Sequence, residues 1–124
     1  MKLHADTSDT VPTISGHGPG WLAVGQQRHA HSLLLSAGGL LQAWPCARFD
    51  DLTAAHFEEL ARLARDAQVV LLGCGARQRF VPPAWLRPLA RQHLALECMT
   101  TPAACRTYNI LAMEGRAVLA ALLV

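Results

Sequence analysis

The chain has 124 residues, which fits one domain and is too short for two. A domain of this size needs neither a metal nor a disulfide to hold together. A hydrophobic fraction of 52% with 16% charged residues excludes a disordered chain. The absence of any run of about 18 apolar residues argues against a membrane span. The formal net charge of +2 is too weak to imply nucleic acid, but its distribution is uneven. Residues 1–76 carry five basic and seven acidic side chains, while residues 77–124 carry six arginines against Glu97 and Glu114.

The first residues, Met1-Lys2-Leu3-His4-Ala5-Asp6, lack an apolar signal core, and Asp6 and Asp9 are out of character for a transit peptide. A cytoplasmic location is therefore expected. Residues 11–25 contain two short apolar runs around a Gly/Pro-rich turn, which predicts a hairpin. His31–Ser36, with three consecutive leucines, and Leu40–Trp44, ended by Pro45, predict two further strands.

A helix should follow. Thr53 is a suitable N-cap, Leu52 and Phe57 have the spacing of a hydrophobic staple, and Phe57, Leu60, Ala61 and Ala64 form one apolar stripe. Val69-Val70-Leu71-Leu72 is a continuous apolar run stopped by Gly73, as expected of a strand covered on both faces. After a loop over Gly73–Pro83, a helix is predicted from about Ala84 to Gln92. Pro88 is tolerable there only in a first turn or at a kink. Leu94–Cys98 reads as another strand. Thr101-Pro102 predicts a helix start with Thr101 as N-cap, and Gly115 its stop. Val118–Val124 reads as a closing strand. The C-terminal half is thus βαβαβ, an α/β arrangement around a parallel sheet.

Open parallel sheets bind ligands beyond the carboxyl ends of their strands. Those ends supply Gly73, Gly75, Arg77 and Arg79 from one loop, and Thr101 and Arg106 from the start of the last helix. Helix N–H groups and planar guanidinium forks suit an anion or an acidic partner. These six residues are the candidate site. The competing reading has Arg106 paired with an internal carboxylate such as Glu97 or Glu114, and the loop arginines solvated. Neither a dinucleotide fingerprint nor an ATP phosphate loop is present.

The four cysteines, Cys46, Cys74, Cys98 and Cys105, form no C-x-x-C pair and read as reduced packing residues. Cys105, near a helix start and Arg106, is the one whose environment favours a reactive thiol. His29 and His31 would share a face of a strand but lack a third ligand, so no metal site is expected. No carboxylate pair or nucleophile–base arrangement specifies a reaction, and no cofactor is expected. An exposed Trp21, Trp44 or Trp85 would mark a protein interface.

The pattern Leu71-Leu72-Gly73-Cys74-Gly75, Phe80, Met99-Thr100-Thr101, Ala103-Ala104-Cys105-Arg106-Thr107-Tyr108-Asn109-Ile110-Leu111 and Glu114-Gly115-Arg116 resembles a domain-of-unknown-function family. That family includes the mitochondrial NADH dehydrogenase (complex I) assembly factor 3 and bacterial and archaeal relatives. The resemblance implies three layers around a central mixed, mostly parallel sheet, with flanking helices, an N-terminal β unit and one antiparallel core strand. It implies a protein partner and an assembly role, and supplies no catalytic residues. Two positions depart from the pattern: Cys74 stands where members often have Thr, and Thr100 where Asp is usual.

Overall fold

The computed structural model of the chain describes residues 11–124. The expectation for the first six residues lies outside that range. Three short strands come first: β1 (Ile14–Gly18), β2 (Trp21–Val24) and β3 (Gln27–His29). They form an antiparallel sheet in that order. The β1–β2 hairpin matches the sequence reading. The third strand was not anticipated, because Gln27-Arg28-His29 has no apolar periodicity and is held by backbone pairing to β2.

The second sheet contains β4 (Leu33–Ser36), β5 (Leu41–Ala43), β6 (Val69–Gly73), β7 (Leu96–Met99) and β8 (Val118–Leu122), in the order β5-β4-β8-β6-β7. β6 pairs in parallel with both β7 and β8, whereas β4 runs antiparallel to β8 and β5. One strand of five is therefore reversed, as the resemblance implied, and the sheet is mixed. The all-parallel reading of the C-terminal half holds for β6, β7 and β8.

The central strands β6 and β8 are apolar at every position because both faces are covered. Leu34, Val70, Leu72, Leu119 and Ala121 pack against helix α1 (Ala54–Leu63) through Phe57, Leu60 and Ala61. Leu33, Leu35, Leu71, Val118, Ala120 and Leu122 pack on the other face against helix α3 (Thr101–Met113) and the small sheet. Three layers result.

One helix start agrees with the sequence reading and two helices differ from it. Thr53 does occupy the N-cap of α1, but its backbone N–H donates to His56 Nδ1 at 2.9 Å, so the side chain from the third helical position supplies this bond. The helix expected over Ala84–Gln92 is a 3₁₀ turn, Pro83–Leu86, running into a four-residue helix α2 (Arg87–Ala90), with Pro88 in its first turn where its missing N–H costs nothing. Helix α3 is capped by Thr100 rather than Thr101: Ala103 N–H donates to Thr100 Oγ1 at 3.3 Å, and Thr101 is the first helical residue. An aspartate at position 100 would accept the same bond, so the departure from the family pattern keeps its function. Gly115, at φ 80°, ends α3 as expected.

The small sheet is fastened to α3 by side chains. Asn109 accepts from Ile14 N–H and donates to Ile14 C=O, both at 2.8 Å, pairing with that residue as a neighbouring strand would. Tyr108 donates to Pro12 C=O at 2.6 Å. With Ile14 buried, Asn109→Ala leaves both its backbone groups unpaired. The expected cost is about 2–3 kcal/mol in urea unfolding. Amide exchange should accelerate at Ile14 and stay slow at Leu71, which native-state exchange measured by NMR will check.

Candidate functional site

The carboxyl ends of β6 and β8 meet the start of α3 at one hydroxyl. Thr101 Oγ1 accepts from Gly75 N–H at 2.8 Å and donates to Leu123 C=O at 2.5 Å. Thr101 N–H returns a bond to Gly75 C=O at 2.8 Å, and Leu123 N–H donates to Gly73 C=O at 3.0 Å. Gly73 is required here, since a Cβ would lie 3.0 Å from Thr101 Oγ1 and 3.1 Å from Thr101 Cα. Gly75 is required for its backbone, at φ 96°. Three of the six candidate residues thus form an internal junction.

The junction consumes the helix terminus. Thr101 N–H is bound to Gly75, Pro102 has no N–H, Ala103 N–H is capped by Thr100 Oγ1, and Ala104 N–H bonds Thr100 C=O at 2.8 Å. The first turn of α3 therefore offers no free donor to an anion.

The arginines divide between two clefts. Arg77 and Arg79 line a cavity of about 240 Å³ with Arg48, Phe49, Asp50 and Cys74. Arg79 pairs with Asp50 at 2.9 Å and its guanidinium lies 4.2 Å from the Phe49 ring centre. Arg77 is exposed and, among the described residues, meets no carboxylate at ion-pair distance. Arg106 lies on α3 and lines a separate cavity of about 370 Å³ with Ser15, His17 and Asn109. It makes no ion pair with Glu97 or Glu114. A third cavity, about 500 Å³, lies between the β1–β2 turn and Pro102 and is lined mainly by small residues, Gly18, Gly20, Gly75 and Ala76 among them.

The thiols separate by environment. Burial pushes Cys105 up to about 11, with a weaker opposing pull from Arg106, so this thiol, read from the sequence as a packing residue with reactivity weighed beside it, is buried and protonated at neutral pH. Burial, then Asp51, also raises Cys46. Cys74 goes the other way, to about 7, because the neighbouring Cys98 thiol stabilises its thiolate more than burial opposes it; backbone bonds and Arg79 add to the effect. The same contact, with burial, raises Cys98. As a neutral thiol Cys74 donates to Arg79 C=O at 3.3 Å, a bond that a threonine hydroxyl would also make.

Other candidates resolve as structure. The rings of His29 and His31 meet edge to face at 5.5 Å, and no group of three or more His, Cys, Asp or Glu is arranged for a metal among the described residues. Trp44 is buried, Trp85 packs on Phe57, and Trp21 is stacked by Arg28 at 3.8 Å. Among the described residues the exposed large apolar side chains are Leu41, Leu63, Phe80, Ile110 and Met113. Ile110 is 57% and Met113 79% exposed, and with Arg106 they form an i, i+4, i+7 row on the outer face of α3. Sequence reasoning passed over this row, although its spacing was available once α3 had been assigned.

Thr101→Val keeps the shape of the junction but strands Gly75 N–H and Leu123 C=O. Its expected cost is about 2–4 kcal/mol, whereas Thr101→Ser should stay within about 1 kcal/mol. Guanidinium unfolding of the two variants measures the difference.

The comparisons agree with this architecture. The model of the family described as a protein of unknown function (DUF498/DUF598) matches residues 14–123. An uncharacterised protein of Rhodobacter capsulatus is 37% identical over 110 residues, covering 89% of this chain and 82% of that protein. NADH dehydrogenase (ubiquinone) 1 alpha subcomplex assembly factor 3 of Bos taurus is 34% identical over 80 residues, 64% of this chain. The match spans 44% of that relative, under half its length. The crystal structure of a Bordetella parapertussis protein superposes with a TM-score of 0.84 at 39% identity, covering 92% of this chain and 96% of that one. A Bordetella pertussis protein solved by NMR and described as a Mth938-like domain gives 0.83 at 34% identity, covering 99% and 92%. No helix among the described residues is long and apolar enough to cross a membrane. With its matched span running from the first strand to the end of the last, the chain belongs to the DUF498/DUF598 family.

Proposed function

We propose that the chain is a non-enzymatic, assembly-factor-like binding protein of the cytoplasm that engages a protein partner through the outer face of α3. Kinship with assembly factor 3 of the respiratory NADH dehydrogenase is the observation that carries this reading. The row Arg106, Ile110 and Met113 supports it physically. Two large apolar side chains held in water one turn apart gain free energy when covered, and an arginine beside them is a common interface anchor. The partner surface that fits is apolar with an acidic edge, matching the arginine excess of residues 77–124.

The test uses the full chain, tagged and cross-linked in cells, with its complexes resolved by native electrophoresis. Co-migration with respiratory-complex subunits is expected. The Ile110→Asp, Met113→Asp double variant should lose it, with binding weakened by about 10- to 100-fold. Since both side chains are exposed, the variant should melt like the wild type. Absence of respiratory subunits from the wild-type complexes would overturn the reading.

A second reading rests on Arg77. Among the described residues it meets no carboxylate, and it lies beside Arg79 in the Arg48–Arg77–Arg79 cleft, an arrangement suited to a small anion or an acidic side chain. The original candidate set reduces here to its loop arginines, because Gly73, Gly75 and Thr101 bond one another and Arg106 faces a different cavity. Inorganic phosphate should raise the melting temperature of the wild type, and Arg77→Ala should abolish the rise. A flat response at millimolar phosphate would end this reading.

A further inference from the structure

Cys74 and Cys98 are brought together by strand pairing. Leu72 of β6 is the partner of Cys98 on β7, and Cys74 follows Leu72 by two residues, so both thiols point to the same face. Both belong to the cluster beneath α1, and the Cys74 end of this pair opens onto the arginine cleft. We infer that Cys74 and Cys98 are a thiol–disulfide exchange pair, with Cys74 attacking and Cys98 resolving, whose oxidant is a small disulfide carrying carboxylates.

The surroundings fit the two roles. The charged groups around the two thiols are Glu97 from β7, Arg79 and Arg77 from the Cys74 loop, and Arg48, Asp50 and Asp51 from the turn opposite. With Asp50 engaged by Arg79 and Asp51 by Arg48 at 3.6 Å, Arg77 leaves the cleft net positive, which favours an anionic reagent. The neighbouring Cys98 thiol lowers the Cys74 pKa more than burial raises it, which favours the thiolate that an attacking sulfur must supply. The same contact, with burial, raises the Cys98 pKa, and Cys98 does not line the arginine cleft, so the first attack falls to Cys74. Once Cys74 has reacted it carries no charge, and the main cause that holds the Cys98 proton is removed.

The chemistry balances as two exchanges. The Cys74 thiolate attacks one sulfur of the small disulfide; a protein–ligand S–S bond forms, the original S–S bond breaks, and one half leaves with the electron pair. Cys98 then gives up its proton and attacks the Cys74 sulfur, and the second half leaves as a thiolate that takes a proton. Two protein thiols are oxidised by two electrons, and the small disulfide is reduced to two thiols. Disulfide formation brings the two sulfurs to about 2.05 Å. Cys74 is the first residue after β6 and its N–H is held by Met99 C=O at 2.8 Å, so the approach has to come from rotation of the two thiol side chains.

The inference uses the arginine cleft of the second reading but stands on the two thiols, and the experiment separates them. The reduced full chain is incubated with oxidised glutathione, quenched in acid and mapped by mass spectrometry. A Cys74–Cys98 crosslink without a lasting adduct is expected. Cys98→Ser should trap glutathione on Cys74, and Cys74→Thr should leave Cys98 reduced. A wild-type chain that stays reduced, or is modified first at Cys46 or Cys105, overturns the pair. A stable adduct on wild-type Cys74 overturns the resolving role of Cys98. Peptide-resolved alkylation of wild-type Cys74 should speed up as pH rises through about 7 and then level off; a midpoint near 9 overturns its assignment as the attacking thiol. Arg77→Glu should slow oxidation by glutathione disulfide by about 3- to 10-fold and leave neutral 2-hydroxyethyl disulfide unaffected. Equal rates with both reagents in both proteins would overturn the anionic preference and the arginine reading, while the crosslink decides the thiol pair.

Discussion

The Thr101 hydroxyl is the group on which this end of the molecule depends. It donates to the chain leaving β8 and accepts from the loop leaving β6, and its own residue begins α3. Both strand ends are buried among apolar neighbours, where an unpaired amide or carbonyl would cost about 1–3 kcal/mol. One small β-branched hydroxyl residue satisfies both and still fits against Gly73, whose missing side chain makes the approach possible. The run Gly73-Cys74-Gly75 facing Thr100-Thr101 is therefore explained by geometry. Two glycines admit the helix terminus and the loop turn, one threonine caps, and the other ties.

That junction has a functional consequence. The position where α/β proteins commonly receive a phosphate, at a helix N-terminus beside a strand end, is filled by the chain's own carbonyl and hydroxyl groups. Recognition capacity is displaced to either side of it. On one side the Gly75–Phe80 loop carries arginines and brings Cys74 against Cys98; on the other the outer row of α3 presents apolar side chains to water. A rigid, internally satisfied centre with reactive or apolar groups around it suits a protein whose contacts are made at its rim.

The second constraint is the covering of the sheet. Its β6–β8 core is apolar on both faces, so the helix layer on one side must be matched on the other. Helix α3 covers only part of that side, and the small sheet covers the rest through Ile14 and Leu22. Asn109 makes this attachment specific, since its amide satisfies one backbone donor and one acceptor of a strand that would otherwise end unpaired. Tyr108 adds a buried ring with its hydroxyl on the preceding loop. Adjacent residues on one helix thus carry the docking of an entire sheet.

Local physical chemistry was legible in the chain itself. The continuous apolar runs of β6 and β8, the stripe of α1, the Gly115 stop and the confinement of Pro88 to a first turn are set by period, burial and φ restriction, which need no partner to be recognised. The cap of α3 was misassigned by one residue because Thr100 and Thr101 are equally able to cap in isolation. Their roles separate only when Gly75 and Leu123 arrive to occupy Thr101. The β3 strand was hidden because its polar residues owe their conformation to β2 alone. The six candidate residues lie close together in sequence order, yet convergence depends on which way each element faces. Tertiary structure sent Arg106 to one cleft and Arg77 with Arg79 to another, paired Arg79 with Asp50, and set Cys74 beside Cys98 through the register of two parallel strands. Sequence determined which segments fold and where they stop, because those are short-range preferences. Only the packed structure decided which side chains share a cavity, because that is fixed by contacts between residues distant along the chain.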